Sequence, residues 1–247
     1  MKILVCISHV PDTTSKISFK NDNKEFDNNG LQFVINPYDE FCLTRAIQLK
    51  ESNGGSVTVL HVGNATTEPT LRKALAIGAD NAVRINQESE DSFSVAKAIA
   101  SYLGSESYDM IFMGRESIDY NGGVVPGLVA GMMDYPFVNA CVGLDVDGNK
   151  AVMTREIDGG KEILSAETPV LLAGQKGLVE EKDLKIPSMR GIMMARKKQL
   201  QVVDGAAETN VSVDSYETLA AKAACKMIDP NNMDELVKLL HEEAKVI

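Results

Sequence analysis

The chain has 247 residues, of which 44% are hydrophobic and 24% are charged. This is the composition of an ordinary globular protein, and it excludes a chain that is disordered throughout. The 25 Lys and Arg residues are outnumbered by 35 Asp and Glu residues, which gives a formal net charge of -10. We therefore expect no broad basic surface for nucleic acid, and any bound anion must be held locally.

The first apolar run, Ile3–Ile7, is flanked by Lys2 and by polar residues. It is too short for a signal peptide or a membrane span, so a cytoplasmic chain without membrane insertion is expected. The cysteines form no C-x-x-C pair and the three histidines are far apart in sequence, so neither a disulfide framework nor a metal site is predicted. The cysteines are Cys6, Cys42, Cys141 and Cys225.

Short β-type runs alternate with longer helical patterns over the first two-thirds of the chain. This alternation predicts an α/β fold with a three-layer, open, mostly parallel sheet of the Rossmann-like or adenine nucleotide alpha hydrolase-like type. The predicted strands are Ile3–Ile7, Val57–Val62, Asn81–Ile85, Met110–Met113 and Val170–Ala173. The predicted helices are Pro37–Glu51, Thr67–Ile77, Ser92–Leu103 and Val124–Met133, the first with Asn36 as its N-cap.

Three further β-type runs follow the last of these helices. Asn139–Val146, Ala151–Arg155 and Glu162–Leu164 are separated by the Gly-containing turns 147–149 and 158–160. Runs of this kind predict a β-ribbon attached to the α/β body.

From about Ile186 the sequence no longer resembles a compact domain. We therefore predict a nucleotide-binding domain at residues 1–185, and a partner-recognition loop with an extended C-terminal arm at residues 186–247. A terminal helix is expected at Asn232–Ala244, where the apolar residues share one face. That helix either folds back or grips another chain, and the polar segment before it favours an arm.

The usual nucleotide motifs are absent. The turn after the first strand, residues 8–12, contains no G-x-G-x-x-G, and no P-loop motif occurs anywhere. The loop Gly114–Gly123 nevertheless joins a buried strand to a helix, where backbone N–H groups can hold a phosphate. A tight turn that binds no ligand is an equally good interpretation of this loop.

Five segments in sequence order resemble the beta subunits of electron transfer flavoproteins. The most specific is Arg155–Glu162 followed by Thr168–Leu172. The others are Lys2–Asp12, Asn36–Glu40, Ala74–Asp80 and Ile192–Lys198. Together they cover nearly the whole chain.

This resemblance implies a heterodimer in which an alpha subunit holds the redox-active FAD. The beta subunit would bind a second adenine nucleotide, which is AMP in most members and a second FAD in members that bifurcate electrons. The complex would carry electrons from flavoprotein dehydrogenases, such as acyl-CoA dehydrogenases, to an acceptor. No residue of this chain would act as a catalyst.

The resemblance also implies the residues of the nucleotide site. They are Cys6, Asn36, Pro37, Tyr38, Asp39, Val62, Gly114, Arg115, Glu116, Ser117, Ile118, Asp119, Tyr120, Asn121, Gly122, Gly123, Val124 and Val125. The sequence departs from the family at 122–124, where many members carry polar side chains and this chain has Gly-Gly-Val. Backbone groups must therefore make more of the phosphate contacts.

Two further residues are implied in partner recognition. Met189 aligns with the hydrophobic side chain that inserts into the redox partner, and Glu156 with the glutamate that contacts the flavin domain of the alpha subunit. The simpler interpretations are that Met189 fills a loop and that Glu156 faces solvent in a turn. A rival to the whole assignment is a universal-stress-type adenine nucleotide sensor, which would need neither the arm nor the segment Arg155–Glu162.

Overall fold

The computed structural model describes residues 1–88, 91–205, 209–222 and 224–247. The strands are β1 (Lys2–Cys6), β2 (His9–Pro11), β3 (Phe19–Lys20), β4 (Glu25–Phe26), β5 (Phe33–Ile35), β6 (Ser56–Val62), β7 (Asn81–Asn86), β8 (Met110–Gly114), β9 (Phe137–Asp147), β10 (Lys150–Ile157), β11 (Gly160–Glu167), β12 (Val170–Gly174) and β13 (Leu200–Asp204). The helices are α1 (Pro37–Asn53), α2 (Glu68–Ile77), α3 (Ser92–Leu103), α4 (Val125–Met133), α5 (Met189–Ala195) and α6 (Met233–Lys238).

The main sheet has nine strands among the described residues, in the order β11-β10-β9-β12-β8-β1-β6-β7-β13. Strands β12, β8, β1, β6, β7 and β13 are mutually parallel, and β9 is parallel to β12. The predicted α/β class with a mostly parallel sheet is confirmed. Because the parallel strands end at one edge, the loops that follow them gather there.

Alternate side chains of the central strands pack on opposite faces of the sheet. In β1, Ile3 and Val5 join the core beneath α1 and α2, whereas Leu4 and Cys6 join the core beneath α3 and α4. Burial on both faces explains why the sequences of these strands are continuous apolar runs. The sheet is therefore the middle layer of three.

The ribbon is longer than the sequence predicts. Strands β9, β10 and β11 are antiparallel neighbours and occupy one end of the main sheet. Arg45 of α1 donates from Nη2 to the carbonyl of Leu144, and this bond ties the helix to β9. The ribbon is thus a continuation of the sheet that positions the turn 158–159.

Beyond residue 185 the structure differs from the sequence-based expectation. Helix α5 packs on α2, and β13 pairs in parallel with β7 at the other end of the sheet. Lys198 holds this segment in place, because its Nζ donates to the carbonyls of Leu75 and Ala79 at 2.9 and 2.5 Å. The main body therefore extends to Asp204, and Met189 begins a helix instead of lying in a loop.

The rest of the described C-terminal region has little regular secondary structure. Residues 209–222 and 224–229 form neither helix nor strand, and the predicted terminal helix is present as α6 followed by a π-helix, Leu239–Glu243. The segment touches its own chain at Tyr216, whose ring stacks on Phe19 at 4.6 Å between centroids. None of the helices in the described part of the chain is long and apolar enough to cross a membrane.

Candidate functional site

A cleft of about 800 Å³ opens at the carboxyl ends of β1, β6 and β8. Ten of the predicted nucleotide-site residues line it. They are Cys6, Asp39, Val62, Gly114, Glu116, Ser117, Asp119, Tyr120, Gly122 and Val125. The topology therefore brings together four chain segments that are far apart in sequence.

The other predicted residues surround the cleft without lining it. Asn36, Pro37, Tyr38, Ile118, Asn121, Gly123 and Val124 belong to the start of α1 or to the loop 114–125. Arg115 differs from these because its side chain lines a second, smaller cavity beside the ribbon. Its guanidinium donates to Gln175 Oε1 at 2.8 Å.

Asp39 joins the ends of two central strands. Its carboxylate accepts the N–H of Ser8 at 2.7 Å and the N–H of Gly114 at 2.8 Å. The side chain is buried, and this burial raises the pKa of Asp39 to about 7 although both N–H bonds favour the charged form. Asp39 thus holds together the ends of β1 and β8, where the cleft opens.

Asn36 supports the loop rather than capping α1 with its side chain. Its Nδ2 donates to the carbonyl of Glu116 at 2.9 Å, and its Oδ1 accepts the N–H of Ile118 at 3.3 Å. The predicted N-cap position of α1 at Asn36 is confirmed, but the side chain makes no capping hydrogen bond, because both ends of its amide bond the loop. The loop is also closed on itself, because Ser117 N–H donates to the carbonyl of Gly122 at 3.0 Å.

Two histidines line the cleft that the sequence analysis did not place there. Nδ1 of His61 donates to the carbonyl of Ile7 at 2.8 Å, and desolvation lowers the pKa of His61 to about 4. His9 stacks on Phe33 with 4.3 Å between ring centroids, and desolvation also lowers its pKa. Both rings are therefore neutral at pH 7 and offer hydrogen bonds without charge. In the sequence, the feature that could have indicated this role is their position, with His9 after the first predicted strand and His61 within the second.

The cleft continues past the predicted residues. It runs along the loop after β6 and toward the start of α3, where Asn64, Thr66, Thr67, Gln87, Glu88, Asp91 and Ser92 line it. These residues are polar and scattered, so no local motif marks them. The cleft is accordingly longer than the predicted set of residues.

The charge of the lining is acidic. Asp39, Glu88, Asp91, Glu116 and Asp119 contribute carboxyl groups, and no Lys or Arg lines the cleft among the described residues. A phosphate must therefore be held by neutral donors, among which are backbone N–H groups. The N-terminus of α4 has no side-chain cap and follows Gly122–Val124 directly.

Cys6 lies at the end of β1 with its thiol in the wall of the cleft. Burial, with a smaller contribution from nearby Asp39, raises the pKa of Cys6 far above its ordinary value. The thiol is therefore protonated and a poor nucleophile, and it contributes shape and apolar surface. The described residues contain no group of three His, Cys, Asp or Glu side chains that could hold a metal ion.

Replacing Asp39 with Asn is expected to change how stability depends on pH. A carboxyl whose folded-state pKa is raised binds its proton more tightly when folded. Its contribution is complete below its ordinary pKa of 3.8 and is lost as the pH rises to about 7. As the pH rises between those limits, the free energy of unfolding of the wild type should fall relative to that of Asp39→Asn. Urea titrations at several pH values measure this difference.

His61 acts in the opposite direction, so only the difference between wild type and variant isolates Asp39. Its lowered pKa means that stability is lost as the pH falls from 6.5 toward about 4. Asp119→Asn, a change at an exposed carboxyl that lines the same cleft, is the control and should alter the slope less than Asp39→Asn does. Equal slopes for wild type and Asp39→Asn would contradict the raised pKa.

The two predicted partner-recognition residues lie on different parts of the molecule. Met189, at the start of α5, is 79% exposed, and Ile186 and Met193 nearby are also exposed. Glu156 lies near the end of β10, where its carboxylate accepts a hydrogen bond from Gln175 Nε2 at 2.5 Å. Met189 therefore sits on an open apolar surface, while Glu156 is held from within the chain.

Comparison with known proteins places this architecture in a family. The electron transfer flavoprotein domain model matches residues 25–208. The chain is 33% identical over 262 residues to the electron transfer flavoprotein subunit beta of Bacillus subtilis, with 100% of both chains covered. It is 35% identical over 227 residues to that of Syntrophomonas wolfei, covering 91% of this chain and 88% of that protein.

A further relative carries a different name. The chain is 29% identical over 232 residues to the acryloyl-CoA reductase electron transfer subunit gamma of Anaerotignum propionicum, covering 91% of this chain and 85% of that protein. The family model and the subunit beta relatives agree over most of the chain. The chain therefore belongs to the electron transfer flavoprotein beta-subunit family.

Proposed function

We propose that this chain binds AMP in the cleft and, with an alpha subunit that holds FAD, carries electrons from a flavoprotein dehydrogenase to an acceptor. Membership of the family gives it a role in electron transfer beside an alpha subunit. The observation that supports the nucleotide is the cleft itself. It lies where open parallel sheets bind ligands, and the loop 114–125 forms one of its walls.

The shape and charge of the cleft favour a mononucleotide with few negative charges. Leu60, Val62 and Val95 supply apolar lining for a base, and His9 and His61 supply neutral hydrogen-bonding groups. Because the lining carries carboxyl groups and no Lys or Arg among the described residues, each additional phosphate would add repulsion. We therefore expect AMP to bind more tightly than ATP.

A second FAD in place of AMP is the alternative that a specific observation favours. The cleft extends beyond the predicted site to Gln87, Glu88 and Asp91, which gives room for a longer ligand. FAD bound there would supply a second redox centre, and the complex would then be of the electron-bifurcating kind. The relative from Anaerotignum propionicum is named as an electron transfer subunit of acryloyl-CoA reductase.

Nucleotide quantitation separates the two assignments. The chain would be purified together with its alpha subunit, and the nucleotides released on denaturation would be measured by chromatography. One FAD and one AMP per heterodimer supports the proposal. Two FAD per heterodimer supports the bifurcating alternative, and a complex with a single FAD and no second nucleotide contradicts both.

We propose that the apolar surface at the start of α5 contacts the dehydrogenase, with an acyl-CoA dehydrogenase as the expected partner class. Ile186, Met189 and Met193 are 81%, 79% and 70% exposed. Ser188 caps the helix by accepting the N–H of Gly191 at 3.0 Å, so the helix presents Met189 and Met193 on a fixed backbone. Flexible methionines suit a contact that forms and breaks during each electron transfer.

Met189→Ala is expected to lower the rate of electron transfer from the dehydrogenase without changing FAD content. Truncating an anchor side chain at an interface costs about 1–2 kcal/mol, or roughly tenfold in kcat/KM. Met132→Ala, at a half-exposed methionine on α4, is the matched control and should transfer electrons at the wild-type rate. Wild-type kinetics for Met189→Ala would show that Met189 only fills space.

A further inference from the structure

A chain of hydrogen bonds connects the ribbon to the nucleotide loop. It runs beside a cavity of about 460 Å³, lined by Arg115 from the loop, Gln175 from the segment after β12, and Glu156 from β10. Gln175 lies at the centre of this chain and is only 6% exposed. Its backbone is also fixed, because its N–H donates to the carbonyl of Cys141 at 3.1 Å.

The Gln175 amide bonds one side chain at its donor end and a different side chain at its acceptor end. Its Nε2 donates to Glu156 Oε2 at 2.5 Å, and its Oε1 accepts from Arg115 Nη1 at 2.8 Å. A carboxylate only accepts and a guanidinium only donates, so these partners fix the orientation of the amide. A residue without both functions cannot occupy position 175 and keep both bonds.

Arg115 carries the connection to the wall of the cleft. Its second nitrogen, Nη2, pairs with the carboxylate of Glu116 at 3.2 Å. The guanidinium carbon, Cζ, lies over the ring of Tyr38, 5.8 Å from the ring centroid. Glu116 lines the nucleotide cleft, and its carbonyl is held by Asn36. A ligand that shifts this part of the loop therefore shifts Arg115.

We propose that Gln175 is a positioning residue that couples the nucleotide cleft to the ribbon through Arg115 and Glu156, so that AMP and the alpha subunit bind cooperatively. This inference rests on the proposed function, because it takes AMP as the ligand of the cleft, and it adds to that function a contact of the alpha subunit with the ribbon at Glu156. When the loop is ordered by nucleotide, Arg115 holds the amide, and the amide holds Glu156 in one orientation. The coupling is reciprocal, so the alpha subunit strengthens nucleotide binding by the same factor.

The test compares the AMP affinity of the full chain alone with that of the assembled heterodimer. Titration with AMP gives both dissociation constants, and their ratio is the coupling factor. For the wild type we expect a ratio of about 5 to 20, in the usual range for coupled sites. Gln175→Leu should bring the ratio to about 1 while changing the affinity of the free chain less than about twofold, because Gln175 does not line the cleft.

Two further variants separate positioning from a general loss of structure. Glu162→Gln is the matched control, since Glu162 is also a ribbon carboxylate but pairs with Arg155 instead of Gln175. It should keep the wild-type ratio. Gln175→Glu places a second carboxylate against Glu156 and should lose the coupling, whereas the double variant Gln175→Glu/Glu156→Gln restores a donor and an acceptor and should recover it.

The outcomes distinguish this inference from the proposed function. A wild-type ratio in Gln175→Leu, or an equal loss in Glu162→Gln, would overturn the role of Gln175. Failure of the double variant to recover the ratio would also overturn it. If AMP binds neither the free chain nor the heterodimer, the nucleotide assignment itself is wrong and the coupling is rejected with it.

Discussion

Deleting residues 206–247 is expected to abolish association with the alpha subunit and to leave nucleotide binding intact. The last strand of the main sheet, β13, ends at Asp204, so the deletion removes no element of the α/β body. It does remove a series of apolar side chains that the chain itself leaves exposed. These are Val211, Leu219, Met227, Met233, Val237, Val246 and Ile247, which are 53–97% exposed.

The size of the effect follows from burial of those side chains by a partner. Covering a large aliphatic side chain contributes about 1.5 kcal/mol or more, so three of them contribute about 4.5 kcal/mol or more, which is over roughly 1,000-fold in affinity. Co-purification of the two subunits and analytical ultracentrifugation measure the loss. A truncated chain that still co-purifies with the alpha subunit would contradict the arm assignment.

Substitutions in the full-length arm provide the control for its removal. Replacing Val211, Leu219 and Met227 with Ser keeps the length of the arm and should weaken association nearly as much as the deletion. Replacing the polar residues Thr209, Thr218 and Lys222 with Ser should leave association unchanged. If both triple variants associate normally, the arm acts through its length or backbone and the apolar contact is rejected.

The layers of the fold could be predicted because the signals are local. Apolar runs such as Ile3–Ile7 and the Gly residues after helices mark strands and helix ends within a few residues of their observed positions. Strand β13 carried no comparable signal. It is a short edge strand, and what holds it is pairing with β7 and the bonds of Arg72 to the carbonyls of Ala195 and Lys198, contacts over more than 100 residues.

The candidate site also has a part that local sequence signals predict and a part that depends on contacts between distant segments. The loop 114–125 was predictable because it follows a strand and precedes a helix, and the resemblance added Asp39 and Val62 from other segments. The contributions of His9, His61 and Gln175 depend on which side chains the folded chain brings together. Arg115 illustrates the limit, because its position in the loop predicted a binding side chain, whereas its guanidinium is held by Gln175 at the second cavity.

Gly114→Ala is expected to destabilise the chain and to reduce its nucleotide content sharply. A Cβ at this position would overlap Asp39 Oδ1 and lie 2.7 Å from Tyr38 Cβ. Tyr38 Cβ is attached to the backbone of α1, and Asp39 cannot withdraw without losing the bonds to Ser8 and Gly114. Overpacking of this kind costs about 1–3 kcal/mol, and the strained groups are those that hold the mouth of the cleft.

Two other glycines provide matched controls for the same methyl group. At Gly122, in the same loop, and at Gly131, inside α4, an added Cβ meets nothing within 4 Å. Gly122→Ala should keep wild-type stability, and Gly131→Ala should gain up to about 1 kcal/mol from helix propensity. Thermal melting and nucleotide quantitation on the three variants measure the contrast. If Gly114→Ala behaves like Gly122→Ala in both, the packing of β8 against the start of α1 does not determine the cleft.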